Sequence, residues 1–272
     1  MPELPEVETV RNTLKTRILD KKIKDVKINY SKMIENNIDD FKNILINNSF
    51  KDIKRRGKWL IFELENNYLL SHLRMEGKYF IKPSCDEVNK HEHVIIIFND
   101  NTDLRYHDTR KFGRMKIISK DKLNDTTEIK KQGVEAISDK LNGDYLKNKF
   151  KNKKLPIKTV LLDQEIISGL GNIYADEVLF LSNINPLKKA SSLSLDECNK
   201  ICDSSRKILS HAIMEGGTTI RSYTSSLGVE GRYQNYLLVH KKEGCKCINC
   251  NNLIKRIKVG GRSTYYCEYC QH

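Results

Sequence analysis

Lys58-Trp59-Leu60-Ile61-Phe62-Glu63-Leu64-Glu65, a turn at Asn66-Asn67, then Tyr68-Leu69-Leu70-Ser71-His72-Leu73 read as two strands around a polar turn. The same pattern continues through Gly77–Lys82, His93–Phe98, Asp103–His107 and Arg114–Ser119, with turns such as Asn99-Asp100-Asn101. Six or more short strands between residues 22 and 118 predict a β-sandwich, with a helix from residues 31–48 on one face. On the N-terminal side, Val7, Val10, Leu14 and Ile18 recur at helical spacing through residues 5–19, with Pro5 in the first turn. On the C-terminal side, a polar stretch gives way to helical periods at Asp144–Lys151, Ile157–Gln164, Asn172–Leu181 and Ser194–Glu215, with a Gly169-Leu170-Gly171 turn between two of them. The expected class is α+β: an N-terminal sandwich domain with flanking helices (1–120), a linker (121–140), a helical domain (141–236) and a cysteine-punctuated β module (237–272).

The chain has 272 residues, enough for two cores. Its 48 Lys and Arg against 35 Asp and Glu give a net charge of +13, which suggests a polyanionic partner, most economically nucleic acid. A generally lysine-rich composition is the bland alternative. No apolar run approaches a membrane span, the longest strong one being Val94–Phe98. Glu3, Glu6 and Glu8 at the start argue against an export signal, so a cytoplasmic monomer is expected.

Five of the eight cysteines fall in the last 28 residues. Cys247-Ile248-Asn249-Cys250 and Cys267-Glu268-Tyr269-Cys270 form two C-x2-C pairs sixteen residues apart. Each pair can place two thiolates on one tight turn, and two such turns close a tetrahedral zinc site. A redox dithiol is the rival, but needs only one pair. Four cysteines leave no open coordination position, so a single structural Zn2+ is expected, with Cys245 left free. Between the pairs, Gly260-Gly261-Arg262 could present a guanidinium to a phosphate.

Met1 followed by proline is ordinarily trimmed, leaving Pro2 with a free secondary amine. At an ordinary α-amino pKa, roughly a tenth to a sixth of such amines are neutral at pH 7, against a few in ten thousand lysines. The amine can attack a sugar carbon and form an iminium. A helix start beside it favours the neutral form, while Glu3 and Glu6 oppose that effect and offer proton transfer. The alternative is that Pro2 and Pro5 simply start a helix whose dipole the glutamates complement.

The chain resembles the formamidopyrimidine-DNA glycosylases over essentially its whole length. The resemblance rests on the Pro2–Val10 run, Arg56-Gly57-Lys58-Trp59-Leu60, Ser71–Gly77, Arg110-Lys111-Phe112-Gly113-Arg114, Gly171–Glu177 and the four-cysteine finger. It implies a bifunctional glycosylase and AP lyase that excises oxidised purines from duplex DNA and nicks the abasic strand by β,δ-elimination. By similarity, Pro2 is the nucleophile, Glu3 a proton donor, Lys58 the proton donor of β-elimination, and Arg262 the residue of δ-elimination. With a pKa above 12, arginine is better suited to placing a phosphate than to giving up a proton. Glu6, Thr218, Arg221 and Tyr223 match the lesion pocket and its surroundings, residues 218–233 resembling the loop that closes over the flipped base.

The resemblance also implies that Met75, Arg110 and Phe112 fill the void left by the flipped nucleotide. Met and Phe can wedge between base steps, and Arg can bond the orphaned base, favouring cytosine. Taken alone, Met75 and Phe112 would read as core residues. His91, Lys154 and Asn172 align with DNA-contacting positions. Lys154 ends a run of five lysines within residues 147–154, and Asn172 starts a helix of the family's helix–two-turns–helix. His72 fits a core or a phosphate role equally. Departures include Thr109 where proline is common, Val134-Glu135-Ala136 in the linker, and Arg221 where lysine is usual. The rivals are a sister glycosylase for oxidised pyrimidines, which Leu4 and the Met75/Arg110/Phe112 set oppose, and a non-catalytic DNA-binding protein, which would have no use for Pro2, Glu3 and Lys58.

Overall fold

Helix α1 (Leu4–Ile18) forms where the apolar spacing places it, burying Leu4, Val7, Val10, Leu14 and Ile18. The computed structural model describes residues 1–218 and 231–272. The described chain forms two units, Met1–Lys130 with Gly216–Arg232, and Lys131–Glu215 with Tyr233–His272.

In the first unit, β1 (Ile23–Ile28), α2 (Ile38–Leu45), β2 (Asp52–Arg56), β3 (Trp59–Glu63) and β4 (Asn67–His72) follow α1. The sequence then runs through β5 (Lys78–Pro83), β6 (Glu92–Phe98), β7 (Thr102–His107), β8 (Arg114–Ser119) and the short α3 (Thr127–Lys130). Two four-stranded antiparallel sheets result, ordered β1-β6-β7-β5 and β2-β3-β4-β8. They meet over one apolar core, in which Leu60, Phe62 and Leu69 of one sheet join Val94, Ile96, Leu104 and Tyr106 of the other. The expected sandwich is therefore observed. Its interior holds an aromatic file: Phe62 to Tyr79 at 5.6 Å and Tyr79 to Tyr106 at 5.1 Å between ring centroids. Each such tilted pair adds about 0.5–1.5 kcal/mol beyond its area burial. The expected helix of residues 31–48 is confined to α2, because Asn37 caps it by accepting from the backbone N–H of Asp39 and Asp40.

The second unit holds β9 (Val134–Glu135), α4 (Gly143–Phe150), α5 (Ile157–Leu161), β10 (Ile167–Ser168), α6 (Asn172–Leu181) and α7 (Leu195–Met214). The stretch read as a linker thus contributes α3 to the first unit and β9, which pairs in parallel with β10, to the second. Helix α5 stops at Leu161, short of the expected Gln164. Polar side chains end it: Asp163 Oδ1 accepts from Glu165 N, and Gln164 bonds Leu162 O, Leu170 O and Gly169 N, clamping the turn ahead of α6. The unit closes with the hairpin β11 (Lys255–Val259) and β12 (Arg262–Tyr266). Among the described residues, no helix is long and apolar enough to cross a membrane.

Candidate active site and nucleic-acid interface

Pro2 and Glu3 are buried at the start of α1, while Met1 stands 42 % exposed. Glu3 caps the helix and Glu6 completes a capping box, its Oε2 accepting from Glu3 N at 2.8 Å. Glu6 Oε1 accepts from Thr218 N at 2.8 Å and from the Thr218 hydroxyl at 3.0 Å. With these donors around it, Glu6 acts as an acceptor that braces the chain start against Gly217-Thr218. Gly217 has φ 78°, and an added Cβ would lie 2.8 Å from Glu6 Oε1, so both conformation and space require glycine. The brace reaches Thr218; Arg221 and Tyr223 lie outside the described residues.

Lys58 is 5 % exposed and occupies, with Gly57, the two-residue turn between β2 and β3. Gly57 has φ 58° there. Arg55 fixes this turn, its Nη1 donating to Gly57 O at 2.9 Å and its Nε to Glu8 Oε2 of α1 at 2.7 Å. One guanidinium therefore ties the Lys58 turn to the helix that begins beside Pro2. Sequence reasoning missed Arg55. Its signal was only its position two residues before the Gly-Lys turn.

His72 packs edge-on against Trp59 at 4.8 Å and its Nδ1 accepts from Arg74 N at 2.9 Å. Burial, then the charges of Arg74 and Lys58, push its imidazole down to about 3. It is therefore neutral when folded and brings no charge to a phosphate. An unfolded histidine gains its proton near pH 6.5, so the stabilisation is full above 6.5 and is lost as pH falls toward 3. Between pH 6.5 and 5 that loss is about 2 kcal/mol. Urea unfolding of the protein and of His72→Gln across this window should diverge by that amount; parallel profiles would contradict the assignment.

Met75 (37 % exposed) and Phe112 (49 % exposed) project from two loops after β4 and β7, and the Arg110 guanidinium lies 4.7 Å from the Phe112 ring centroid. The three sequence-predicted void-filling residues are thus brought out to the surface of one unit. His91, half-buried, lies in the loop before β6 with its ring 5.5 Å from that of His107.

In the second unit, Val259 pairs with Arg262 across a Gly260-Gly261 turn with φ 56° and 76°, leaving Arg262 exposed at the hairpin tip. Gly260 abuts Thr159 of α5, and Asn172 Nδ2 donates to Ser263 O at 3.0 Å. One amide hydrogen of Asn172 is committed to the hairpin. Lys154 is exposed just before α5. Beneath this surface lies a polar network that sequence reasoning did not single out. Fully buried Lys158 donates to Asn172 O at 2.8 Å and to Asp176 Oδ1 at 2.5 Å, and Asp176 Oδ2 bonds His240 Nδ1 at 2.6 Å. Glu177 accepts from the backbone N–H of Leu238, Val239 and His240. These bonds hold the chain entering the finger against α6.

The Sγ atoms of Cys247, Cys250, Cys267 and Cys270 all lie within 4.8 Å of one another, with Cys247–Cys270 at 3.8 Å and Cys250–Cys267 at 3.4 Å. A zinc tetrahedron with Zn–S bonds near 2.3 Å has sulfur–sulfur edges of about 3.8 Å, so the four residues fit the ion. Cys247 and Cys267 are buried with Phe180 of α6, Val239 and Ile254, which makes the cluster part of the unit's core.

Three family models match in chain order. The formamidopyrimidine-DNA glycosylase N-terminal domain matches residues 1–115, its H2TH domain residues 132–224, and the zinc finger found in FPG and IleRS residues 244–272. The chain is 46 % identical over 272 residues to a formamidopyrimidine-DNA glycosylase of Ligilactobacillus salivarius, covering 100 % of this chain and 99 % of that protein. It is 42 % identical to one of Listeria innocua, with full coverage of both. It belongs to the formamidopyrimidine-DNA glycosylase family. Among solved structures, a Lactococcus lactis FPG mutant complexed with Fapy-dG containing DNA matches with TM-score 0.95 and 40 % identity over 99 % of each chain. The Lactococcus lactis Fpg with abasic-site DNA gives a TM-score of 0.94, with the same identity and coverage. Within the formamidopyrimidine-DNA glycosylase fold, the four cysteines form the zinc site and α5 and α6 fall within the H2TH domain.

Proposed function

We infer that this chain is a bifunctional DNA glycosylase and AP lyase of base excision repair, removing oxidised purines such as 8-oxoguanine and formamidopyrimidines from duplex DNA and then nicking the abasic strand. The single observation that carries the mechanism is Pro2-Glu3 buried at the start of α1, braced by Glu6, with the Lys58 turn tied to the same helix by Arg55. Relatives crystallised with Fapy-dG and abasic DNA support the substrate class.

Once Met1 is removed, the lone pair of Pro2 N attacks C1′ of the damaged nucleotide. The glycosidic bond breaks and the base leaves with its electron pair. The Pro2 nitrogen then sheds its proton and its lone pair opens the C1′–O4′ bond, Glu3 giving a proton to the ring oxygen or the departing base. The resulting iminium draws electrons from C2′, so a C2′ proton is lost and the 3′ C–O bond breaks, with Lys58 as the proton donor. A second elimination releases the 5′ phosphate, which Arg262 holds in place. Glu6, with its acceptor capacity already engaged, positions rather than shuttles, and Thr218 anchors it; Arg221 and Tyr223 are assigned to the lesion pocket by similarity alone. His91, Lys154 and Asn172 hold phosphates. Neutral His72 orients the Lys58 region. Met75, Arg110 and Phe112 occupy the space vacated by the flipped nucleotide, offsetting a few kcal/mol of lost stacking. The zinc ion, closed off by four thiolates, contributes structure and no chemistry.

The proposed division of labour is catalysis in 1–120, a connection in 121–140, helical DNA binding in 141–236 and the finger in 237–272, in a monomer of the bacterial cytoplasm. Exposed free Cys85 and Cys245 are consistent with a reducing compartment. Borohydride added during reaction with an 8-oxoguanine duplex should yield a covalent protein–DNA adduct. Trimmed protein that binds this duplex yet gives no adduct would leave the non-catalytic reading ahead.

A further inference from the structure

Asp108 lies between the end of β7 and the loop that carries Arg110 and Phe112, and it is fully buried. Its Oδ1 accepts from Arg110 N at 3.0 Å, and its Oδ2 accepts from Phe112 N at 2.9 Å and Gly113 N at 2.8 Å. Its own backbone is engaged as well: Asp108 N donates to His91 O at 3.0 Å, and its carbonyl lies 2.8 Å from His93 Nε2. One residue thus spans two loops assigned to DNA contact. Charge-assisted bonds of this kind are about twice as strong as neutral ones, and here three of them converge from within six residues of chain. Lys111, between the two assigned side chains, takes φ 57°, a conformation that costs energy and persists only where its surroundings impose it.

The neighbouring loop is held in the same frame. Gly77 and Gly113 both close on the Tyr106 hydroxyl, where a Cβ at either position would collide with it. Gly77 N donates to Leu73 O at 2.9 Å, closing the turn that bears Met75. Across the gap, the Thr109 hydroxyl donates to the Glu76 carboxylate. Thr109 and Glu76 are the immediate neighbours of Arg110 and Met75, and this threonine stands where proline, with no hydroxyl to offer, is common.

We propose that Asp108 is a positioning residue that fixes Arg110 and Phe112 in their inserting geometry before DNA arrives, and that the Thr109–Glu76 bond sets Met75 in register with them. This rests on the void-filling role assigned above to those three side chains. The loops then enter the helix as one rigid group, and reading of the orphaned base depends on a carboxylate that never touches DNA.

The test uses the full-length zinc-loaded protein in single-turnover reactions. Substrates are 8-oxoguanine opposite cytosine, 8-oxoguanine opposite adenine, and a ready-made abasic site. Asp108→Asn keeps the volume but sets an N–H2 against the N–H of Arg110 or against those of Phe112 and Gly113, so at least one of the three bonds is lost. It should slow excision about tenfold or more and compress the cytosine-over-adenine preference, while abasic nicking, which has no base to unstack, stays within about threefold. Thr109→Val, at an exposed site, should reproduce the same pattern more weakly and carries the test if Asp108→Asn fails to fold. Equal losses on all three substrates would mean a merely structural role and overturn the proposal. Wild-type rates and preference in both variants, with Arg110→Ala and Phe112→Ala impaired, would overturn it while leaving the void-filling role standing. Unimpaired Arg110→Ala and Phe112→Ala would remove that role and the proposal together.

Discussion

Pro2→Gly is expected to lower incision of an 8-oxoguanine duplex by about 10²–10⁴-fold, with a matching loss of borohydride-trapped adduct. The substitution leaves a primary amine of ordinary basicity, so the effect isolates what the pyrrolidine ring provides. A secondary amine gives an iminium that is charged as soon as it forms. A primary amine gives a neutral imine that must gain a proton before it can acidify C2′. Glycine also loosens the chain immediately before Glu3, whose place is set by the capping box with Glu6. Permanent acylation of the Pro2 nitrogen removes the nucleophile outright and should abolish both adduct and nick. Binding to an uncleavable abasic analogue, measured in parallel, should change little. Undiminished nicking by the acylated protein would end the proposed mechanism.

Removal of zinc, by chelation or by Cys247→Ser, should produce the second large effect. Structural zinc in small modules contributes about 10–16 kcal/mol of apparent binding energy, and Cys247 belongs to the buried cluster with Phe180, Val239 and Ile254. Three thiolates cannot close the tetrahedron, so the β11–β12 hairpin should lose its fixed form and Arg262 its placement. A hydrogen bond to a charged group is worth about 1.5–3 kcal/mol, which corresponds to a loss of DNA affinity of about tenfold or more. Metal content and affinity are measured on the same sample. Retention of full affinity after verified metal loss would show that the finger holds no phosphate.

The elements were legible where apolar spacing or a glycine turn marks them: α1 and β8 bury one face, whereas α6 is buried nearly all round and follows the Gly169-Leu170-Gly171 turn. The Val7-Val10-Leu14-Ile18 stripe gave α1 to within a residue or two, and the Asn172–Leu181 helix and Arg114–Ser119 strand occur with the expected bounds. Periodicity failed where polar side chains intervened. Asp163 and Gln164 end α5 by bonding the backbone themselves, and Asn37 sets the start of α2. The pair β9 and β10 was invisible because two residues carry no period, and their parallel pairing depends on contacts distant in sequence.

The sequence by itself carried the metal site in its four thiols, and the reaction through its resemblance to the formamidopyrimidine-DNA glycosylases. A proline amine, a neighbouring carboxyl and four thiols at fixed spacing are chemical facts of residue type, unaltered by how the chain folds. Only the tertiary structure decided what holds those groups in place. Arg55 on the Lys58 turn, Lys158 and Asp176 under Asn172, and Asp108 under Arg110 and Phe112 are ordinary charged residues in the sequence. They become positioning groups because folding buries each charge, and a buried charge persists only where the backbone and side chains around it supply its hydrogen bonds.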